Sequence, residues 1–295
     1  MRLSVSSKSA SSKQSRFVGR AGVGIAVTLA VFLSAGRVGV RAAVADVPAN
    51  TSPKELVQKM LAVEDAEGLR KGRYIYLSKE RSERTGGKLW TERVAETSAG
   101  KLRRLIAEDG QPLSEDRVAA ENARLAAIAA DPEGFRKRSE ALKNDEKHAK
   151  EMLDMLPKAF LLEGMRREGE FVRIDFRPDP AYAPTSLEER VLHGMVGTIL
   201  VDSKSLRLRS VQGRLPIDMS IGFGLVATIK AGSNFATTRS PVAGNEWKTS
   251  VLDTDINGRA VFFKAIGKKE HAEHSDFAQV PMDITVAQAV ALLQR

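Results

Sequence analysis

Apolar and polar residues alternate over much of residues 190–267. A period of two is the signature of a strand with one wet face and one dry face. Residues 195–202 (MVGTILVD), 206–212 (LRLRSVQ), 214–221 (RLPIDMSI), 223–231 (FGLVATIKA), 247–253 (WKTSVLD) and 259–267 (RAVFFKAIG) read as consecutive strands. Their connections are too short for parallel crossovers, so neighbouring strands must run antiparallel. One face would carry Ile199, Val201, Leu206, Leu208, Leu215, Ile217, Met219, Ile221, Phe223, Leu225, Ile229, Val261 and Phe263. The other would carry Arg207, Arg209, Asp218, Thr228, Lys230 and Lys264. Burying each large apolar side chain contributes roughly 1.5–3 kcal/mol, so about a dozen contribute some 20–30 kcal/mol. That exceeds a typical net stability of about 5–15 kcal/mol. Such a face demands a cover: helices, the sheet curling on itself, or an apolar ligand.

The first half of the chain supplies helices and more strands. Ser52-Pro53-Lys54-Glu55 opens a helix with a capping serine, proline at the first helical position and a glutamate three residues after the cap. Its stripe is Leu56, Met60, Leu61 and Val63. Strands are predicted over Arg73–Arg84, Lys88–Thr97 and Lys101–Ala107, with Gly86-Gly87 as a two-residue hairpin turn. Residues 111–158 break the pattern. Ser114 and Asp131-Pro132 start two helices, the second stopping at Pro157, which together form a helical hairpin inserted between strands. This hairpin is a candidate lid. Strands resume at Ala159–Met165 and Glu170–Arg177, followed by a proline-rich loop and one helical turn at Glu188–His193. Residues 267–279 read as polar and irregular, and Ile284 to Leu293 as a terminal helix. The fold class is α+β: an antiparallel sheet covered by helices.

The net charge of +9 suggests a nucleic-acid or membrane partner until it is located. Residues 1–45 hold seven basic residues and no acid, so the remainder is nearly neutral and the nucleic-acid argument falls away. The same segment has the parts of a secretory signal: a basic n-region, an apolar run at 21–36, and Ala43-Val44-Ala45 as a cleavage site before Asp46. The run is shorter than the ~20 residues of a spanning helix. Residues 46–295 are then a periplasmic or secreted domain, with an uncleaved anchor as the alternative. There is no cysteine, which removes disulfides, lipoprotein processing and a thiol nucleophile.

Candidate chemistry is sparse. Asp253, Asp255, Asn257 and Gly258 match the start of a calcium loop, but the twelfth position is Lys264 instead of a bidentate glutamate. Asn257-Gly258 reads better as a plain hairpin turn. His271 and His274 are spaced as a metal pair but lack an obvious third ligand apart from Asp276. G-x-S-x-G, H-E-x-x-H and P-loop motifs are absent. No cofactor is expected. Aromatic residues make up only 5% of the chain, too few for base- or sugar-stacking platforms.

The signal, the first helix, the run of antiparallel strands, the interposed helical segment and the strand 197–213 (GTILVDSKSLRLRSVQG) together resemble the periplasmic LolA/LolB-type lipoprotein carriers. The resemblance covers about Ser52–Phe277. It implies an unclosed half-barrel whose concave apolar face holds acyl chains under a helical cap. The mature chain is longer than those carriers and its helical insertion is large, and no binding residue of the family is carried over. The expectation is a non-enzymatic carrier or receptor for a lipid or acylated protein, with peripheral or transient membrane contact. Ile199, Val201, Leu206, Leu208, Met219, Phe223 and Leu225 would hold the ligand. The rival expectations are an envelope interaction or sensor protein with a filled core, and, further off, a carboxylate hydrolase.

Overall fold

The computed structural model describes residues 50–68, 71–221, 227–243, 246–260 and 264–295. The expected signal segment, Phe223, Leu225, Val261 and Phe263 lie outside the described residues. The remainder builds an α+β structure around one 13-stranded antiparallel sheet that does not close.

In chain order the elements are α1 (Pro53–Gly68), β1 (Arg73–Arg81), β2 (Trp90–Thr97), β3 (Gly100–Glu108), the short β4 (Gln111–Pro112), α2 (Glu115–Ala130) and α3 (Pro132–Ala159). They continue with β5 (Phe160–Glu168), β6 (Phe171–Pro178), α4 (Leu187–His193), β7 (Val196–Asp202), β8 (Leu208–Arg214), β9 (Met219–Ile221) and β10 (Ala227–Ile229). The last elements are β11 (Asn234–Pro241), β12 (Trp247–Ala260), β13 (Lys264–Val280) and α5 (Val286–Leu293). Spatial order along the sheet is β4-β3-β2-β1-β13-β12-β11-β8-β7-β6-β5, with the β9–β10 hairpin alongside β12. The last long hairpin thus returns to pair with β1 and joins the two meanders.

The helix starts follow from their caps. Ser52 Oγ accepts from the Glu55 N–H at 3.2 Å. Asp131 Oδ1 accepts from Gly134 N–H at 2.8 Å, and Ser186 Oγ from Glu189 N–H at 3.0 Å. Thr285 and Gln288 form a complete capping box on α5. Pro157 lies inside α3, which runs two residues past it.

Several expectations shift. Gly86 and Gly87 do take positive φ (64° and 78°), but they sit in a loop from Ser82 to Leu89 that closes through Gly87 N–H to Ser82 C=O. Asn257-Gly258 is no turn: it lies in β12, paired with Gly267 and Ile266. Residues 267–279, read as irregular, belong to β13, the longest strand at 17 residues. Their charged side chains mislead a pattern reading because both faces of this strand carry polar partners. Strand β11 was not anticipated. Ile217, assigned to the dry face, is 72% exposed in the connection to β9.

Burial sorts the faces. Tyr76 pairs with Val94, and Ile75 with Ala95, so these pairs lie on opposite sides of the sheet. On the inner side, the main core packs α1 (Leu56, Val57, Met60), the end of α3 (Leu153, Met155, Leu156) and α4 (Val191, Leu192) against β6, β7 and β8. On the outer side of β2 and β3, a second core joins Ala95 and Leu102 to Leu125 of α2, Phe135 of α3 and the stripe Val286, Ala289, Val290 and Leu293 of α5. The inserted hairpin is therefore divided. Helix α2 backs the outer face, while α3, roughly 42 Å long at 1.5 Å per residue, packs on both β3 and β5 and bridges the two margins of the sheet.

Candidate functional site

The residues nominated for an apolar site occupy the inner core. Ile199 and Val201 are 0% exposed and Leu208 1%. Leu206 and Met219 pack half-buried at the margin of the same cluster. Leu206 sits in the β7–β8 turn at φ +55°, not in a strand. The face these residues form is occupied by side chains of α1, α3 and α4.

That positive φ has a consequence for the next residue. The turn resets the inside–outside parity, and Arg207, expected on the wet face, is 5% exposed. Its Nε donates to Glu64 Oε1 at 3.0 Å and its Nη2 to Oε2 at 3.2 Å, a bidentate grip. Arg239, 3% exposed on β11, places Nη1 at 2.6 Å from Glu64 Oε2. Its Nη2 donates to the Trp247 carbonyl at 2.7 Å. Glu64 Oε1 also accepts from the Leu208 N–H at 2.9 Å. One carboxylate from α1 therefore neutralises two buried guanidinium groups of the sheet. Burial works against its charge, but Arg239 and Arg207 outweigh burial and hold the Glu64 carboxyl below its ordinary value. Burial, with Arg207 nearby, lowers the proton affinity of Arg239, and Glu64 offsets only part of that. Beside the triad is a space of about 10 Å³, lined also by Glu67, Lys71, Glu246 and Trp247. It has room for about one water.

Farther along the inner face the sheet stays polar. Lys248 Nζ donates to Glu96 at 2.9 Å and lies 4.5 Å from the Tyr74 ring centre. Arg84 bridges Glu80 and Glu92, each at 2.6 Å, and Arg103 reaches Glu92 at 2.9 Å. Burial opposes ionisation of Glu80, yet Arg84, Ser82 and Arg103 prevail and bring its carboxyl down to about 2. A carboxyl so held is a poor proton donor. His274 is wedged against the Tyr76 ring at 5.2 Å, its Nδ1 3.1 Å from the Thr249 carbonyl. Burial, with Arg103 and Lys101 nearby, pushes its imidazole down to about 4. Ser78 pairs with His274 across the strands, but its buried hydroxyl has no hydrogen-bond partner among the described residues.

The two histidines considered as a metal pair are separated. Three apart in a strand, they face opposite sides of the sheet. His271 is on the outer side with Nδ1 2.5 Å from Asp253, in an open groove of about 950 Å³. Among the described residues no three His, Asp or Glu side chains are grouped to hold a metal ion. Nor is any helix among them long and apolar enough to cross a membrane.

Residue order alone does not reveal the triad. Glu64 reads as a solvated position of α1, and Arg239 lies in an unassigned strand. The available signal was the alternation Phe235, Thr237, Arg239, which places the arginine on the same face as a core phenylalanine. Comparison with protein-family models, with characterised proteins and with solved structures finds no match to this chain.

Proposed function

We propose that this protein is a non-enzymatic carrier or receptor for an acyl chain, acting in the periplasm or outside the cell. The observation that carries the reading is the cover. The apolar inner face of an unclosed sheet is roofed by helices and not by a second sheet, and α1 joins it through three fully buried side chains, Leu56, Val57 and Met60. Their burial contributes roughly 5–9 kcal/mol. A palmitoyl-length chain, at about 0.8 kcal/mol per methylene, offers roughly 12 kcal/mol. An acyl chain can therefore replace the helix on that face without net loss of apolar burial.

The test is organic extraction of the purified protein followed by mass spectrometry, with titration of a fluorescent fatty acid alongside. Co-purified lipid or saturable binding is the expected outcome. A lipid-free protein that ignores the probe sinks the proposal. A second reading, an envelope protein-interaction module, is favoured by the 0–1% exposure of Ile199, Val201 and Leu208, because a filled face needs no ligand. A stoichiometric crosslinked protein partner in the absence of lipid selects it.

A further inference from the structure

The Glu64 carboxylate sits where an amphiphile would put its head. Along β11 the inner face runs Phe235, Thr237, Arg239: from the apolar core, through a hydroxyl that is 1% exposed and lacks a partner among the described residues, to a buried guanidinium. Leu208 at the start of β8 and Arg207 in the turn before it repeat the passage: the N–H of Leu208 and the fork of Arg207 both point at the same carboxylate. Apolar surface thus leads directly to two guanidinium groups and one backbone donor converging on a single carboxylate. That carboxylate comes from α1, the helix that the proposed function requires to move. Lifting α1 withdraws the anion together with Leu56, Val57 and Met60, and leaves the guanidinium groups of Arg207 and Arg239 without the carboxylate that neutralises them. An uncompensated buried cation is strongly unfavourable.

We infer that Arg207, Arg239 and the Leu208 N–H form the head-group subsite for a carboxylate-bearing amphiphile such as a long-chain fatty acid, and that Glu64 is its intramolecular stand-in. This inference rests on the acyl-carrier reading. The ligand carboxylate takes over the hydrogen bonds of Glu64 as its tail takes over the contacts of α1, so both ends of the helix's grip are replaced by one molecule. A neutral-headed chain of equal length satisfies only the tail and supplies no carboxylate to the two guanidinium groups.

The experiment measures displacement of a bound fluorescent fatty acid by palmitic acid and by cetyl alcohol. In the wild-type protein the acid should bind about tenfold or more tightly than the alcohol, as expected for charge-assisted hydrogen bonds in a buried setting. Glu64→Gln, which removes the competing anion, should tighten the acid by about tenfold. Arg239→Met should erase the acid's preference while leaving the alcohol's affinity near wild type. Arg239→Met leaves Glu64 paired one-to-one with Arg207, and Arg207→Met, which leaves Glu64 paired with Arg239, carries the same test at the other guanidinium. Circular dichroism and a cooperative melt verify folding of each. The head-group assignment is overturned if acid and alcohol bind equally to wild type, or if the preference survives in both arginine variants, or if Glu64→Gln weakens the acid. In those cases the carrier reading still stands. Failure of every variant to bind either compound overturns both.

Discussion

Replacing Glu64 by alanine tests whether α1 is pinned to the sheet as the geometry indicates. The substitution deletes the bidentate partner of Arg207, the 2.6 Å contact to Arg239 and the acceptor of the Leu208 N–H. Removing one member of a buried ion pair typically costs about 3–5 kcal/mol, because the opposite charge stays behind without water. For a chain of this size each kcal/mol moves the melting temperature by roughly 2–4 °C, so Glu64→Ala should melt roughly 6–20 °C lower. Glu67→Ala is the internal control: Glu67 is 28% exposed and 3.9 Å from Arg207, and its loss should cost under about 1 kcal/mol. The assay is urea denaturation of both variants beside wild type, checked by thermal melts. The acid limb adds a second readout. The Glu64 carboxyl is held below its ordinary 4.5 in the folded protein, so its contribution is present above that pH and disappears as pH falls through the folded value. The stability curve of Glu64→Ala should be flatter there. Equal costs for Glu64→Ala and Glu67→Ala would refute the reasoning. Replacing the whole triad by well-packed leucine and methionine is expected to be neutral or stabilising. That outcome would mean the charges are kept for something other than stability.

Three further measurements probe other parts of the molecule. His274 is neutral and held down to about 4 against an ordinary 6.5, so the unfolded chain binds its proton first. Stability should be level above about pH 6.5 and decline toward about pH 4, by at most on the order of 3 kcal/mol, and His274→Gln should remove that decline in urea titrations repeated across the range. Gly197 pairs with Gly213, and a Cβ there would run into the Gln212 carbonyl and lie 2.6 Å from the Phe176 ring and 2.8 Å from Gly213 Cα. Gly197→Ala should therefore cost about 3 kcal/mol or more, the upper end of overpacking, since backbone cannot step aside; a melt within a degree or two of wild type would contradict this. Thr285→Ala breaks the α5 capping box and should cost about 1 kcal/mol, with faster amide exchange confined to residues 286–293.

Much of the framework was legible because its signals are local. Capping residues marked the starts of α1, α2 and α3, and alternation marked β6, β7 and part of β8. The Gly197 motif was visible as letters, but its reason is tertiary: a glycine pair across β7 and β8 leaves space that the rings of Phe176 and Phe235 fill. The misread stretches share one cause. Strands β12 and β13 cross a region where the inner face is itself polar, through Lys248, Thr254 and His274. A rule that equates the buried face with apolar residues fails there, and the Asn257-Gly258 pair then suggests a turn in mid-strand.

The same failure explains why the apolar half of the candidate site could be nominated from the sequence and the ionic half could not. Ile199, Val201 and Leu208 announce burial by their chemistry. Glu64, Arg207 and Arg239 announce exposure, and each alone would be destabilising inside; only their convergence from α1, the β7–β8 turn and β11 makes burial tolerable. Convergence of a helix with sheet residues more than a hundred positions away leaves no trace beyond the parity that puts Arg239 on the face of Phe235. If apolar side chains replace the triad without loss of stability, as expected, stability alone does not account for the buried charges. Its position, at the end of an apolar face and beneath the helix that covers it, is the observation on which the proposed head-group role rests.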